Sequence, residues 1–136
     1  MRIDLDLIGR RLDAYERLLR LDKPIGTLLL LWPTLWAVWL AAGGSPSVEI
    51  IAIFGVGTLL MRSAGCAVND YFDRRFDAHV ERTRARPLAA QEIGPAEALL
   101  LAALLAAAEE LLGGDEAPVR RHIERWLGAR SDYTRV

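Results

Sequence analysis

Asn69, Asp73, Asp77 and Glu81 recur at every fourth position across the stretch Gly65-Cys66-Ala67-Val68-Asn69-Asp70-Tyr71-Phe72-Asp73-Arg74-Arg75-Phe76-Asp77 and just beyond it. On a helix that spacing makes one oxygen-rich stripe. Carboxylates turned toward lipid are very unfavourable, so such a stripe must face a bundle interior, a watery cavity or the membrane interface. Hard oxygen donors one helical turn apart, with several arginines close by in sequence, suit Mg²⁺ holding a phosphate or diphosphate.

The elements that must carry this stripe are apolar. Over 136 residues the hydrophobic fraction is 52% and the net charge −1, which gives no general attraction to nucleic acid. Those averages conceal a block arrangement. The run from Ile25 to Ala42 has no charged residue and approaches the roughly 20 residues needed to cross a bilayer core. The run from Ile50 to Met61 is also uncharged and reaches that length only by continuing through Arg62 to Val68. A third run, Ala98 to Ala108, lies between Glu97 and the pair Glu109-Glu110. Trp32, Trp36 and Trp39 favour a membrane interface. Pro33 is tolerated in a membrane helix whose neighbours satisfy the freed backbone groups. The expectation is an all-α membrane protein with two to three transmembrane helices.

Basic residues orient these helices. Arg2, Arg10, Arg11, Arg17, Arg20 and Lys23 precede the first run, and Arg74, Arg75, Arg82, Arg84 and Arg86 follow the second. The intervening turn Gly43-Gly44-Ser45-Pro46-Ser47 has none. The positive-inside rule then places the N-terminus and the acidic motif in the cytoplasm and the turn outside, as in a bacterial-type inner membrane. Residues 3 to 21 read as an amphipathic helix, with Ile3, Leu5, Ile8, Leu12, Tyr15, Leu18 and Leu19 largely on one side, and not as a cleavable signal peptide. Cys66, the only cysteine, reads as a buried inert thiol. His79 reads as a polar loop residue.

Three segments resemble the UbiA superfamily of intramembrane aromatic prenyltransferases, and within it the 4-hydroxybenzoate polyprenyltransferases of ubiquinone synthesis. They are Arg20-Leu21-Asp22-Lys23-Pro24-Ile25-Gly26-Thr27, Leu31-Trp32-Pro33-Thr34-Leu35-Trp36-Ala37, and the span from Arg62 to Asp73 continuing through Phe76-Asp77-Ala78-His79-Val80-Glu81-Arg82-Thr83-Arg84-Ala85-Arg86-Pro87-Leu88. The resemblance covers roughly residues 10 to 105. An Asn-x-x-x-Asp-x-x-x-Asp pattern alone is weak; followed by Arg-Thr-x-x-Arg-Pro-Leu it is specific.

The resemblance implies the first part of a helical bundle in which two aspartate-rich motifs face each other across a cavity. Mg²⁺ would bridge them to the diphosphate of a polyprenyl donor, and the acceptor would be 4-hydroxybenzoate. Asn69, Asp73 and Asp77 would be the catalytic, metal-holding first motif, with Asp70 adjoining it on the substrate side. Arg82 and Arg86 would pair with diphosphate, because guanidinium forks match phosphate oxygens; the alternative is that they are topology charges. Arg62 lies two helical turns before Asn69 and so on nearly the same face. Its family-like role is to bind the acceptor carboxylate, against the alternative of pairing with a nearby carboxylate of the chain.

The expected organisation is a cytoplasmic amphipathic segment 1–24, a shortened prenyltransferase membrane domain 25–108, and a tail 109–136 with no family features. A second aspartate-rich motif is not found, which suggests a fragment or a frameshifted gene. The tail is amphipathic around Val119, Ile123, Trp126 and Leu127 and ends in Thr134-Arg135-Val136, a chance match to a sheet-edge peptide. Mg²⁺-dependent prenyl transfer at the bilayer, incomplete in this chain, is the leading expectation. The alternatives are a non-catalytic hairpin, a split enzyme whose missing half is a separate chain, a relative with another acceptor, and a small membrane protein whose acidic stripe is simply solvated.

Overall fold

The structure, a computed structural model, describes residues 5–113 together with 120, 121, 124, 125 and 128. Ile3, the amphipathic positions Val119, Ile123, Trp126 and Leu127, and the C-terminal Thr134-Arg135-Val136 lie outside the described residues. Four helices follow one another: α1 Leu5–Leu18, α2 Ile25–Ala41, α3 Val48–Asp77 and α4 Pro95–Gly113. No strand occurs among the described residues. Backbone contacts divide the chain into two units, one of residues 1–24 with 60–107 and one of 25–59 with 108–136.

The membrane character resides in α2 and α3. α3, at 30 residues, is long and apolar enough to cross a bilayer, whereas α2 is a shorter apolar helix of 17. The run that needed to continue through Arg62 does so without a break. α4 is long enough at 19 residues, but Glu97, Glu109 and Glu110 interrupt its apolar character. α2 passes uninterrupted through Pro33, and the Thr34 hydroxyl donates to the Leu30 carbonyl at 2.8 Å beside the missing N–H.

In the unit formed by 25–59 and 108–136, α2 ends in a glycine cap. Gly43 and Gly44 take φ of 60° and 89°, and the Gly44 N–H reaches back to the Trp39 carbonyl at 3.0 Å. Ser47 then accepts from the Ile50 N–H at 3.3 Å and starts α3. Val38 and Ile50 are buried here, and Leu31 lies 4.0 Å from where a side chain on Gly55 would begin. Trp32 and Trp36 meet edge to face at 6.4 Å.

The other unit has its own core of Ala14, Leu18, Ala64, Ala67, Leu88, Ile93, Ala98 and Ala102. The alanines of α3 and α4 let backbones approach closely, as small residues do between membrane helices. α1 contributes Ala14 and Leu18, whereas Leu5, Leu7, Ile8 and Leu12 remain exposed. Only the C-terminal part of the expected apolar stripe is therefore covered. The helix also stops at Leu18 rather than at 21, because Arg20 turns left-handed (φ 59°) and the Leu21 N–H bonds back to the Glu16 carbonyl at 3.0 Å. That cap normally belongs to glycine, and the arginine holds it at a cost of roughly 1 kcal/mol.

α4 begins at Pro95, a residue suited to the first helical position, and Glu97 accepts from the Gly94 N–H at 3.4 Å. The Tyr15 hydroxyl donates to the other Glu97 oxygen, tying α1 to α4, and Arg11 adds an ion pair at 3.5 Å. The Tyr15 bond holds the Glu97 carboxyl below its usual range, and the same bond raises the Tyr15 phenol. A lowered carboxyl stabilises the fold above the ordinary glutamate range and loses that contribution as pH falls through the lowered value. The raised phenol contributes below the ordinary tyrosine value and is lost as pH climbs through the raised one. Tyr15→Phe is expected to be less stable than the parent at neutral pH, with the difference closing as pH falls through the lowered Glu97 value; thermal unfolding in detergent across pH checks it. Leu18, fully buried in this core, is expected to cost about 2–5 kcal/mol as Leu18→Ala, measured in the same way at neutral pH.

Candidate functional site

α3 carries the acidic motif to its last turn and ends at Asp77, where the buried Thr83 hydroxyl donates to the Asp77 carbonyl at 3.2 Å. Glu81 therefore lies beyond the helix, where it faces Arg84 at 3.9 Å, and the expected stripe of four is a stripe of three. Within that stripe the environments diverge. Asn69 and Asp73 are exposed and bond to none of the described residues. Asp77 is buried and receives a hydrogen bond from Arg86 Nη1 at 2.7 Å.

The most enclosed carboxylate is Asp70, whose side chain is 3% exposed. Arg20 Nη2 donates to its two oxygens at 3.1 and 3.4 Å, and Arg86 Nη1 donates to Oδ1 at 3.2 Å. Asp70 and Asp77 stand seven positions apart, nearly superimposed in angle around the helix, so one guanidinium reaches both. The arrangement Arg20–Asp70–Arg86–Asp77 is a charge-compensated chain linking the end of α1, the end of α3 and the loop of residues 78–94. A buried carboxylate without such partners would cost several kcal/mol.

Each residue of the Arg-Thr-x-x-Arg-Pro-Leu segment has a distinct position. Thr83 caps α3, Arg86 clamps the two aspartates, and Pro87 and Leu88 are buried. Arg82 makes no ion pair or hydrogen bond with the described residues and lines an open cavity of about 340 Å³. Arg17, Arg20, Lys23 and Arg86 line the same cavity, and no acidic residue does. Arg17 also pins the loop to α1 through Glu92 and the Ala85 carbonyl, with Asp13 one turn back on α1 holding its Nε. Sequence reasoning treated Arg17, Arg20 and Lys23 as topology charges. No signal in the sequence marks the left-handed end of α1, which brings Arg20 to Asp70 of α3.

Arg62 Nη1 donates to Cys66 Sγ at 3.0 Å, and its buried Nε has no partner. No carboxylate among the described residues pairs with it. His79 is exposed, with Nδ1 2.7 Å from the Arg75 carbonyl, in keeping with a loop residue. Arg74 lies over the Tyr71 ring at 4.2 Å, so Tyr71 is engaged in packing.

Among the described residues no group of three or more His, Cys, Asp and Glu is gathered to hold a metal ion. Asn69 and Asp73 nevertheless fit one side of a Mg²⁺ site. They offer an amide oxygen and a carboxylate on successive turns, both open and unengaged. Asp77, the third expected ligand, is occupied by Arg86.

The described residues form a segment of a helical membrane bundle, with the acidic motif at the end of its longest apolar helix. Residues 30–119 match the UbiA prenyltransferase family, and the chain belongs to that family. The match extends past Ala108 into the first residues of the segment 109–136. Similar curated proteins include the 4-hydroxybenzoate octaprenyltransferases of Cupriavidus pinatubonensis, with 64% identity over 73% of this chain and 35% of the relative, and of Ralstonia nicotianae, with 68% over 71% and 33%. That of Nitrosospira multiformis is 65% identical over 77% of this chain and 36% of its own. The chain thus spans about a third of the length of the curated relatives it matches. No solved structure matches it.

Asp70→Asn leaves Arg20 without its carboxylate and Arg86 with Asp77 alone, and is expected to destabilise by about 3 kcal/mol. Asp73→Asn, on the open face, is expected to change stability by less than about 0.5 kcal/mol. Parallel thermal unfolding of the two variants in detergent checks the contrast. Equal losses would contradict the division of the motif into a structural and an open pair.

Proposed function

We propose that this chain supplies the first aspartate-rich half of a membrane site that transfers a polyprenyl group from polyprenyl diphosphate to 4-hydroxybenzoate in ubiquinone biosynthesis. The observation that carries this reading is 64–68% identity to 4-hydroxybenzoate octaprenyltransferases across the region that holds the motif. In it, Asn69 and Asp73 would hold Mg²⁺, and Asp77 would be available to it when Arg86 turns to the diphosphate. The bound metal would neutralise charge developing on the diphosphate as its bond to the prenyl carbon breaks. Arg82 and Arg86 take part of that charge through guanidinium N–H groups. The ring carbon ortho to the acceptor hydroxyl bonds to the prenyl carbon, and loss of the proton on that ring carbon restores aromaticity. Arg62, half-buried and without a carboxylate partner among the described residues, orients the acceptor by its carboxylate.

The site lies at the cytoplasmic side of a bacterial-type inner membrane in this reading, with the Gly43-Gly44 turn outside. The basic clusters on either side of α2 and α3 support that orientation. The organisation 1–24, 25–108 and 109–136 is the proposed one for function, with the family match reaching into the last segment as far as residue 119. A second reading, a split enzyme whose other half is a separate chain, is favoured by the one-sided donor set of Asn69 and Asp73. An acceptor without a carboxylate would give Arg62 no such role.

The test is prenylated 4-hydroxybenzoate formation in membranes containing this chain, with and without the C-terminal two-thirds of a curated relative. Product is expected with both polypeptides, and Asp73→Asn or Asp77→Asn is expected to lower it at least a hundredfold, about 3 kcal/mol of transition-state stabilisation. Full activity of the Asp73→Asn and Asp77→Asn pairings would sink the assignment. Product from this chain alone would instead remove the split reading.

A further inference from the structure

Arg62 places a guanidinium within the apolar part of α3, and among the described residues its side chain bonds only to a sulfur. Nη1 donates to Cys66 Sγ at 3.0 Å, one turn further along the helix, and the buried Nε has no partner. Sulfur is a weak acceptor, so it can orient a guanidinium but does not neutralise it. Which nitrogen it holds decides what stays free. Nε–H and one Nη2–H run parallel along one edge of the group, an edge that takes a carboxylate in two bonds, and Nη1 lies on the opposite side. Cys66 therefore grips Arg62 by a nitrogen that this edge does not use. The thiol is half-buried and engaged, where sequence reasoning read it as buried and inert. The helix also sets this pair in line with the open part of the motif. Arg62 and Asn69 are seven residues apart, as are Cys66 and Asp73, so each pair nearly superimposes around the axis. Gly65 is exposed between them, and a side chain there would meet nothing within 4 Å among the described residues. The helix surface from Arg62 to Asn69, about 10 Å along the axis at 1.5 Å per residue, is thus bare beside Cys66.

We propose that Cys66 is a positioning residue for the acceptor: its sulfur fixes Nη1 of Arg62 and so presents the Nε–Nη2 edge to the carboxylate of the aromatic acid. The inference rests on the reading of Arg62 as the acceptor's anchor, and adds the group that sets the anchor's direction. A flat aromatic acid held at that edge lies along the bare strip at Gly65 with its far end toward Asn69 and Asp73. Cys66 takes no part in making or breaking bonds. Alanine at this position would leave the guanidinium free to turn about its terminal torsions, so that the edge is no longer held toward the strip. Serine would keep an acceptor one turn from Arg62 and preserve the direction.

The experiment follows 4-hydroxybenzoate in two ways, on membranes holding the full chain together with the C-terminal two-thirds of a curated relative. Equilibrium dialysis of the radiolabelled acid reads binding without turnover, and steady-state prenylation reads KM and kcat. Cys66→Ala is expected to weaken binding of the acid and to raise its KM about fivefold, the effect of one hydrogen bond. The kcat and the KM for polyprenyl diphosphate are expected to stay within about twofold of the parent. Cys66→Ser is expected to restore binding and KM to the parent values. 4-Hydroxybenzyl alcohol, which lacks the carboxylate, is expected to bind the parent and Cys66→Ala equally. Acid binding and KM in Cys66→Ala equal to the parent overturn the inference and leave Arg62 as the anchor. A fall in kcat, or a KM raised for both substrates, marks a general packing role for Cys66 and also overturns it. No binding of the acid by the parent, or binding unchanged in Arg62→Gln, removes the anchor itself and the inference with it.

Discussion

A carboxylate that cannot be left alone organises the motif-bearing unit. Asp70 sits near the end of an apolar helix with almost no access to solvent, and its desolvation is offset only by cations brought from elsewhere in the chain. One comes from beyond α1, at a backbone position that disfavours arginine, and the other from a loop with little regular structure. The loop in turn is held by its own buried residues, Thr83, Pro87, Leu88 and Ile93, and by Arg11 and Arg17 of α1. Satisfying one buried charge therefore fixes the positions of three chain segments. It also accounts for the tolerated strain at Arg20: a glycine there would relax the backbone and leave Asp70 with a single partner.

The same interaction divides a motif that looks uniform in one dimension. Asn69, Asp70, Asp73 and Asp77 span about a hundred degrees of helix circumference at 100° per residue. The residues at one edge, Asn69 and Asp73, are open, and those at the other, Asp70 and Asp77, are consumed by Arg86 and Arg20. A polyanion and a divalent cation arriving together would change this balance from both sides. The anion competes for Arg86, and the cation competes for Asp77. Each ligand weakens the internal pair that opposes the other, so the two are coupled through one guanidinium without any large rearrangement.

How much of this was legible follows from which forces are local. α2 begins at Ile25, where the uncharged run begins, and the Gly43-Gly44 turn falls where glycine allows the left-handed cap. Apolar length and backbone permissiveness are properties of short windows. The continuation of α3 through Arg62 was readable only as a requirement of length. The end of α1 was misplaced by three residues, because nothing in the composition marks an arginine for a left-handed cap whose compensation lies fifty positions away. The stripe of Asn69, Asp73 and Asp77 was visible as periodicity, but its division was not, since burial of Asp70 depends on a loop with no periodic signal.

Family membership bears on the aspartates in a further way. The relatives carry about three times the aligned length, and the open face of Asn69 and Asp73 is the part of the motif that nothing in the described chain satisfies. The satisfied part, by contrast, is self-contained, with donors and acceptors all drawn from residues 11–97. The internal clamp fixes the shape of the motif-bearing unit while leaving Asn69 and Asp73 open. Asn69 and Asp73 have no internal bond to break, whereas Asp77 is free only once Arg86 releases it. It follows that the arginine clamp belongs to the scaffold of the site as much as to its chemistry, and that the two roles meet at Arg86.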